Sequence, residues 1–207
     1  MRRRAWVALA LLPLLTVVSP VGAAEDIVER VAAMLGRPPL LRANFVQEKR
    51  AAALSRPIVS RGRLTVARDA GVIWRIEAPL SLSLAYRGDA LVEVDSAGRR
   101  RVKKFSDNRA QAEVARVIRA LLAADFGALR QHFDAQGTIE GARWQLELIP
   151  RSPQVAQFVQ SLRISGAQHA ERILVVESGG DSTLIRLSDI ETPSSLDADE
   201  RALLLDQ

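Results

Sequence analysis

Covalent catalysis needs a nucleophile beside a base, and this chain has two histidines, His132 and His169, and no cysteine. Ser81, Ser83 and Ser106 have no visible partner base, and no Gly-x-Ser-x-Gly elbow occurs. Neither histidine has a second His or Cys at ligand spacing, so both read as surface residues, one ending a helix and one in a loop. No glycine-rich loop follows a strand and opens a helix, which leaves nucleotide chemistry unsupported. The carboxylates of the tail, Asp197, Asp199 and Glu200, read as a solvated acidic end and not as a calcium loop. The expectation is a protein that is not an enzyme and uses no cofactor and no metal.

The other candidate chemistry is charge. Arg99, Arg100, Arg101, Lys103 and Lys104 form the densest positive run after the N-terminus. It is either a solvated hairpin arm or a surface that docks an anionic membrane or acidic partner. Arg2, Arg3 and Arg4 lead into an apolar run from Ala5 to Val18 that ends at Gly22-Ala23-Ala24. That order is an export signal over residues 1–24, cleaved to leave a single domain over residues 25–207. As a membrane anchor the run is short of the roughly 20 residues required and is interrupted by Pro13 and Pro20. Losing the three arginines brings the net charge from +5 to about +2, which does not imply a nucleic-acid-binding surface. With no cysteine there is neither a lipid-attachment site nor a disulfide.

The elements that would position any site are mostly strands. Ile27, Val28, Val31 and Leu35 mark a short amphipathic helix stopped by Gly36 and Pro38-Pro39. Strands follow at 41–49, 58–68, 72–77, 80–86, 91–95 and 100–105, the clearest alternation being Leu80, Leu82, Leu84 and Tyr86. A helical stripe of Val114, Val117, Ile118, Leu121 and Leu122 then interrupts them, followed by a second helix over 125–133. Strands resume at 137–140 and 143–149 and, after a helical turn near 155–160, at 162–165, 172–177 and 182–187. Connections this short exclude parallel crossovers. The expected architecture is mainly β with α (α+β): about ten antiparallel strands in a strongly curved sheet, with helices against its concave face.

Several local patterns, in this order, resemble the periplasmic outer-membrane lipoprotein carrier family, LolA. They are Ala43-Asn44-Phe45-Val46-Gln47, then Gly62-Arg63-Leu64 with Trp74-Arg75 and Pro79, then Tyr86-Arg87-Gly88-Asp89, and finally Trp144 through Pro150. The resemblance spans about Leu40 to Glu191 and implies an incomplete antiparallel β-barrel closed by helices over an apolar cavity that shelters acyl chains. It also implies, for Arg68, contacts to lid backbone in the closed state; read from the residues alone, Arg68 is a solvated strand end. Few aromatics and no clear extra C-terminal strand depart from the family's pattern, so a paralogous carrier for another acylated or polyene lipid, working with a membrane exporter, is the alternative.

Alternation offers Phe45, Leu64, Val66, Trp74, Ile76, Leu82, Leu84, Val92, Val94, Trp144, Leu146 and Leu148 as concave-wall candidates, with Val117, Ile118, Leu121 and Leu122 as the lid face. Either these pack tightly into an ordinary core or they leave a gap that lipid fills. The expected partners are an acylated client (lipoprotein or lipid), an inner-membrane donor complex or exporter, an outer-membrane acceptor and, transiently, a membrane surface, with no nucleic acid. The expected form is a soluble periplasmic monomer. A protein-binding adaptor that uses the basic arm stands as the competing class.

Overall fold

A computed structural model describes residues 26–105, 116–117, 120 and 123–205. The export segment and the lid candidates Ile118, Leu121 and Leu122 lie outside the described residues. Eleven strands form one antiparallel sheet. They are β1 (Leu40–Arg50), β2 (Ile58–Ala67), β3 (Gly71–Ala78), β4 (Leu82–Arg87), β5 (Ala90–Asp95), β6 (Arg100–Lys104), β7 (Phe133–Glu140), β8 (Arg143–Pro150), β9 (Val159–Gly166), β10 (Ala170–Glu177) and β11 (Ser182–Glu191). Their order is β6-β5-β4-β3-β2-β1-β11-β10-β9-β8-β7, so the N-terminal meander and the C-terminal meander are joined by β1 pairing with β11. β6 and β7 do not pair, and the barrel stays open.

Four short helices complete the described elements: α1 (Ile27–Met34), α2 (Phe126–Leu129), α3 (Pro153–Ala156) and α4 (Ala198–Leu204). α1 starts where the Asp26 carboxylate accepts the Val28 N–H at 2.9 Å. Its buried face, Val28 and Val31, packs on β7 and α2. Arg130 ties α2 to α1 through Asp26 at 3.1 Å and Glu29 at 2.8 Å. Residues 116, 117 and 120 are helical, and the Asp125 N–H bonds to the Ala120 carbonyl at 2.8 Å with Ala124 in the left-handed region, φ 49°.

The sheet buries both faces. One packed cluster joins Phe45, Leu64, Trp74, Trp144, Leu146 and Leu148 with α1, Val117 and α2, and this is the concave face. A second cluster on the other face joins Leu40, Ala67, Ile73, Ala85 and Val92 to Leu203 and Leu204 of α4. This second layer adds to the helices expected on the concave face and corrects the solvated reading of Glu200, which is buried, while Asp197 and Asp199 stay exposed. Asp197 and Glu200 form a capping box: the Asp197 carboxylate accepts the Glu200 N–H at 2.8 Å and the Glu200 carboxylate accepts the Asp197 N–H at 2.9 Å. The helix over 125–133 is also shorter than expected, since Phe133 already begins β7.

Candidate functional site

The concave face is filled at one side and open at the other. On the filled side, Phe126 and Trp144 meet edge to face with centroids 5.4 Å apart and planes at 77°. The Trp144 indole N–H donates to the Ala167 carbonyl at 2.6 Å, which satisfies its one polar atom inside the core. Leu146 and Leu148 lie fully buried next to it, alongside Leu162 and Ile164. Trp144, Leu146 and Leu148 are thus covered by α1 and α2 and belong to closed core.

Phe45 and Trp74 close a second part of the face. Phe45 sits opposite Gly62 on β2, and Trp74 sits opposite Leu64, two residues along the same strand. The missing side chain at Gly62 lets rings from β1 and β3 meet across β2, stacked at 3.7 Å and 16°. A Cβ on Gly62 would fall 1.9 Å from the Arg75 carbonyl oxygen, where β2 and β3 shift register, so only glycine fits. Ile76 and Leu84 are half-buried against the same cluster, and Leu82 is half-buried near the start of β4.

A cavity of about 550 Å³ lies beside the α1–β1 loop and the β2–β3 turn. Its sheet side is apolar: Leu41, Leu64, Val66, Val72 and Leu187, with Leu35 after α1. Among the described residues its cover carries Ala120, Ala123, Ala124 and Ala128. α2 fills the neighbouring space with Phe126 and Leu129. The polar edge carries Arg37, Arg68, Asp69, Arg116, Gln131, His132 and His169. Both histidines are half-buried at this edge, His132 just after α2 and His169 between β9 and β10.

Of the wall candidates, Leu64 and Val66 line the cavity. Val92 and Val94 do not share their face. Ala85 pairs with Val92 and Ser83 with Val94, while Leu84 pairs with Glu93, so both valines stand on the opposite surface, with α4. Val117 is buried in the concave cluster. Arg68 lies at the cavity edge and donates to the Pro38 carbonyl at 3.2 Å, a contact to the backbone between α1 and β1. Leu35, Leu41, Leu187, Arg37 and the alanine cover were not singled out from the sequence.

The basic arm is β6, an edge strand exposed along its length. Part of its charge is neutralised, Arg99 by Asp95 at 2.8 Å and Lys103 by Glu93 at 2.8 Å. Arg100 donates to the Ala202 carbonyl near the end of α4 at 3.3 Å. Arg101 and Lys104 face solvent. Among the described residues no helix is long and apolar enough to cross a membrane.

A family model described as outer membrane lipoprotein carrier protein LolA-like matches residues 21–185, most of the chain. The chain belongs to this LolA-like family. The resemblance read from Phe45, Gly62, Trp74 and the 144–150 strand is therefore borne out, and so is the incomplete antiparallel barrel. A crystal structure of a LolA superfamily protein from Nitrosomonas europaea shares the fold at 12% identity, covering 87% of this chain and 96% of that one with a TM-score of 0.50. More distant are a DUF1329 family protein from Desulfovibrio piger, at 11% identity over 86% and 93% of the two chains with a TM-score of 0.47, and MucB of Pseudomonas aeruginosa in complex with MucA. For the latter the identity is 13%, the coverage 84% and 59%, and the TM-score 0.48. No curated protein sequence matches the chain.

Proposed function

We propose that this LolA-like protein is an exported periplasmic carrier that shelters the acyl part of a lipoprotein or lipid in the cavity and moves it from the inner membrane towards the outer membrane. The observation that carries this reading is the cavity itself: about 550 Å³ beside a leucine and valine sheet face, with a polar edge, in a family of lipoprotein carriers. Each methylene transferred from water to such a space gains about 0.8 kcal/mol, so a chain of ordinary length needs no covalent attachment and no cofactor. Arg101 and Lys104 on the exposed edge strand are suited to brief contact with anionic headgroups, and Arg68 to holding the loop at the cavity edge. The donor is an inner-membrane complex or exporter, and the carrier acts as a monomer.

Uptake of a fluorescent fatty acid by the purified protein tests the reading, with Val66→Trp as the control that fills the cavity. Saturable uptake that the tryptophan abolishes supports the carrier. A folded protein that takes up no probe favours the adaptor reading, in which the basic edge strand binds protein.

A further inference from the structure

We infer that the cavity is built for one acyl chain bearing an anionic head, and not for a client with several chains. This inference rests on the carrier reading above and adds its ligand class. Volume is the first argument. A methylene occupies roughly the 30 Å³ that a water molecule does in the liquid, so about 550 Å³ holds roughly 18 such groups. That is one long chain. Elsewhere on the same face the Phe45–Trp74 stack and the Phe126–Trp144 contact belong to packed core.

Charge at the edge is the second argument. Arg37 is exposed beside the cavity and makes no hydrogen bond or ion pair with a described residue. Arg68 spends one donor on the Pro38 carbonyl and keeps the rest of its guanidinium available. Both are five-donor forks suited to carboxylate or phosphate oxygens. His169 stands half-buried at the same edge and can donate as well. Two carboxylates share the lining: Asp125 is committed to the Ala128 N–H at 3.1 Å, and Asp69 adjoins Arg68 in the β2–β3 turn. A pocket with an apolar sheet side and with Arg37 and Arg68 at its mouth matches an amphiphile whose head is a carboxylate or a phosphate monoester.

The test is competitive displacement of a fluorescent fatty acid by palmitate, hexadecyl phosphate, hexadecanol, a two-chain phosphatidylglycerol and a triacylated lipopeptide, on wild type and on Arg37→Ala/Arg68→Ala. The expected result is one-to-one binding, with palmitate or hexadecyl phosphate roughly tenfold or more ahead of hexadecanol and that gap closed in the double variant. The order of palmitate and the phosphate identifies the head. Equal binding of hexadecanol, or tight binding of the two-chain or three-chain ligands, overturns the inference and leaves the carrier reading in place. If nothing displaces the probe, or the probe does not bind, the carrier reading fails and this inference with it.

Discussion

Arg42 and Glu200, 158 residues apart in the chain, meet in a two-pronged ion pair at 2.5 and 2.7 Å that pins the C-terminal helix to the outer face of the sheet. The Glu200 side chain is 5% exposed and also accepts the Thr65 hydroxyl at 2.8 Å. Burial on its own would push this carboxyl up. The hydrogen bonds from Arg42, the Asp197 N–H and Thr65, together with the Arg42 charge, outweigh it and hold the pKa at about 2, against 4.5 for an ordinary glutamate. Leu203 and Leu204 then cover Ile73, Ala85 and Val92, so the outer face has a small core of its own.

A depressed carboxyl pKa stabilises the fold above the unfolded value and loses that contribution as pH falls. The latch should therefore contribute on the order of 2 kcal/mol above pH 4.5 and lose it progressively towards pH 2. Thermal unfolding followed across that window should show the loss in wild type. In Glu200→Gln the Tm near neutral pH should be lower and the acid slope shallower; parallel curves would mean the latch contributes nothing.

Gly62→Ala should cost about 3 kcal/mol or more, because the new methyl meets the Arg75 carbonyl oxygen and the strands must part, taking the Phe45–Trp74 stack with them. Urea unfolding measures the loss, and near-ultraviolet circular dichroism reports the stack. A variant of wild-type stability would contradict the close approach of β2 and β3.

Ala124 adopts φ 49°, a conformation that disfavours a Cβ. Ala124→Gly should raise stability by about 1 kcal/mol in the same urea assay. An unchanged or lowered midpoint would show that the flexibility gained by the unfolded chain offsets the relieved strain.

Filled core and open cavity respond differently to substitution. Leu146→Ala should destabilise by roughly 2–5 kcal/mol and leave probe affinity per folded molecule near wild type. Val66→Trp should leave the Tm within a few degrees and lower probe affinity tenfold or more, because the ring occupies space the ligand needs. The paired unfolding and binding measurements fail the account if both variants change both quantities alike.

Charge reversal at Arg101 and Lys104 should slow lipid transfer from anionic vesicles by severalfold at low salt, with the difference vanishing as salt is raised, and without emptying the cavity. A salt-independent defect, or loss of bound lipid, would place these residues in some other role.

Strand alternation made the inward face of β4 legible, and the same reading extended through Leu64, Trp74 and Leu146. It failed at Val92 and Val94 because a face is carried from strand to strand by register. The turn at Gly88-Asp89 sets Tyr86 opposite Leu91, which sends Glu93 inward and the two valines outward. The C-terminal helix was hidden by charge: Asp197, Asp199 and Glu200 look solvated in isolation, although Asp197 and Glu200 have the spacing of a capping box. What buries Glu200 is Arg42, and no local pattern announces a partner 158 residues away. The cavity was legible only as one of two outcomes, since whether a sheet and its cover touch is set by tertiary packing and not by local pattern.

The measurement closest to the central claim is native mass spectrometry with lipid extraction on the protein purified, without detergent, from a Gram-negative periplasm. The account predicts a one-to-one adduct that extraction resolves into an acyl-bearing molecule and that Val66→Trp lacks. An empty wild-type protein that also fails to take up fluorescent fatty acid would contradict it.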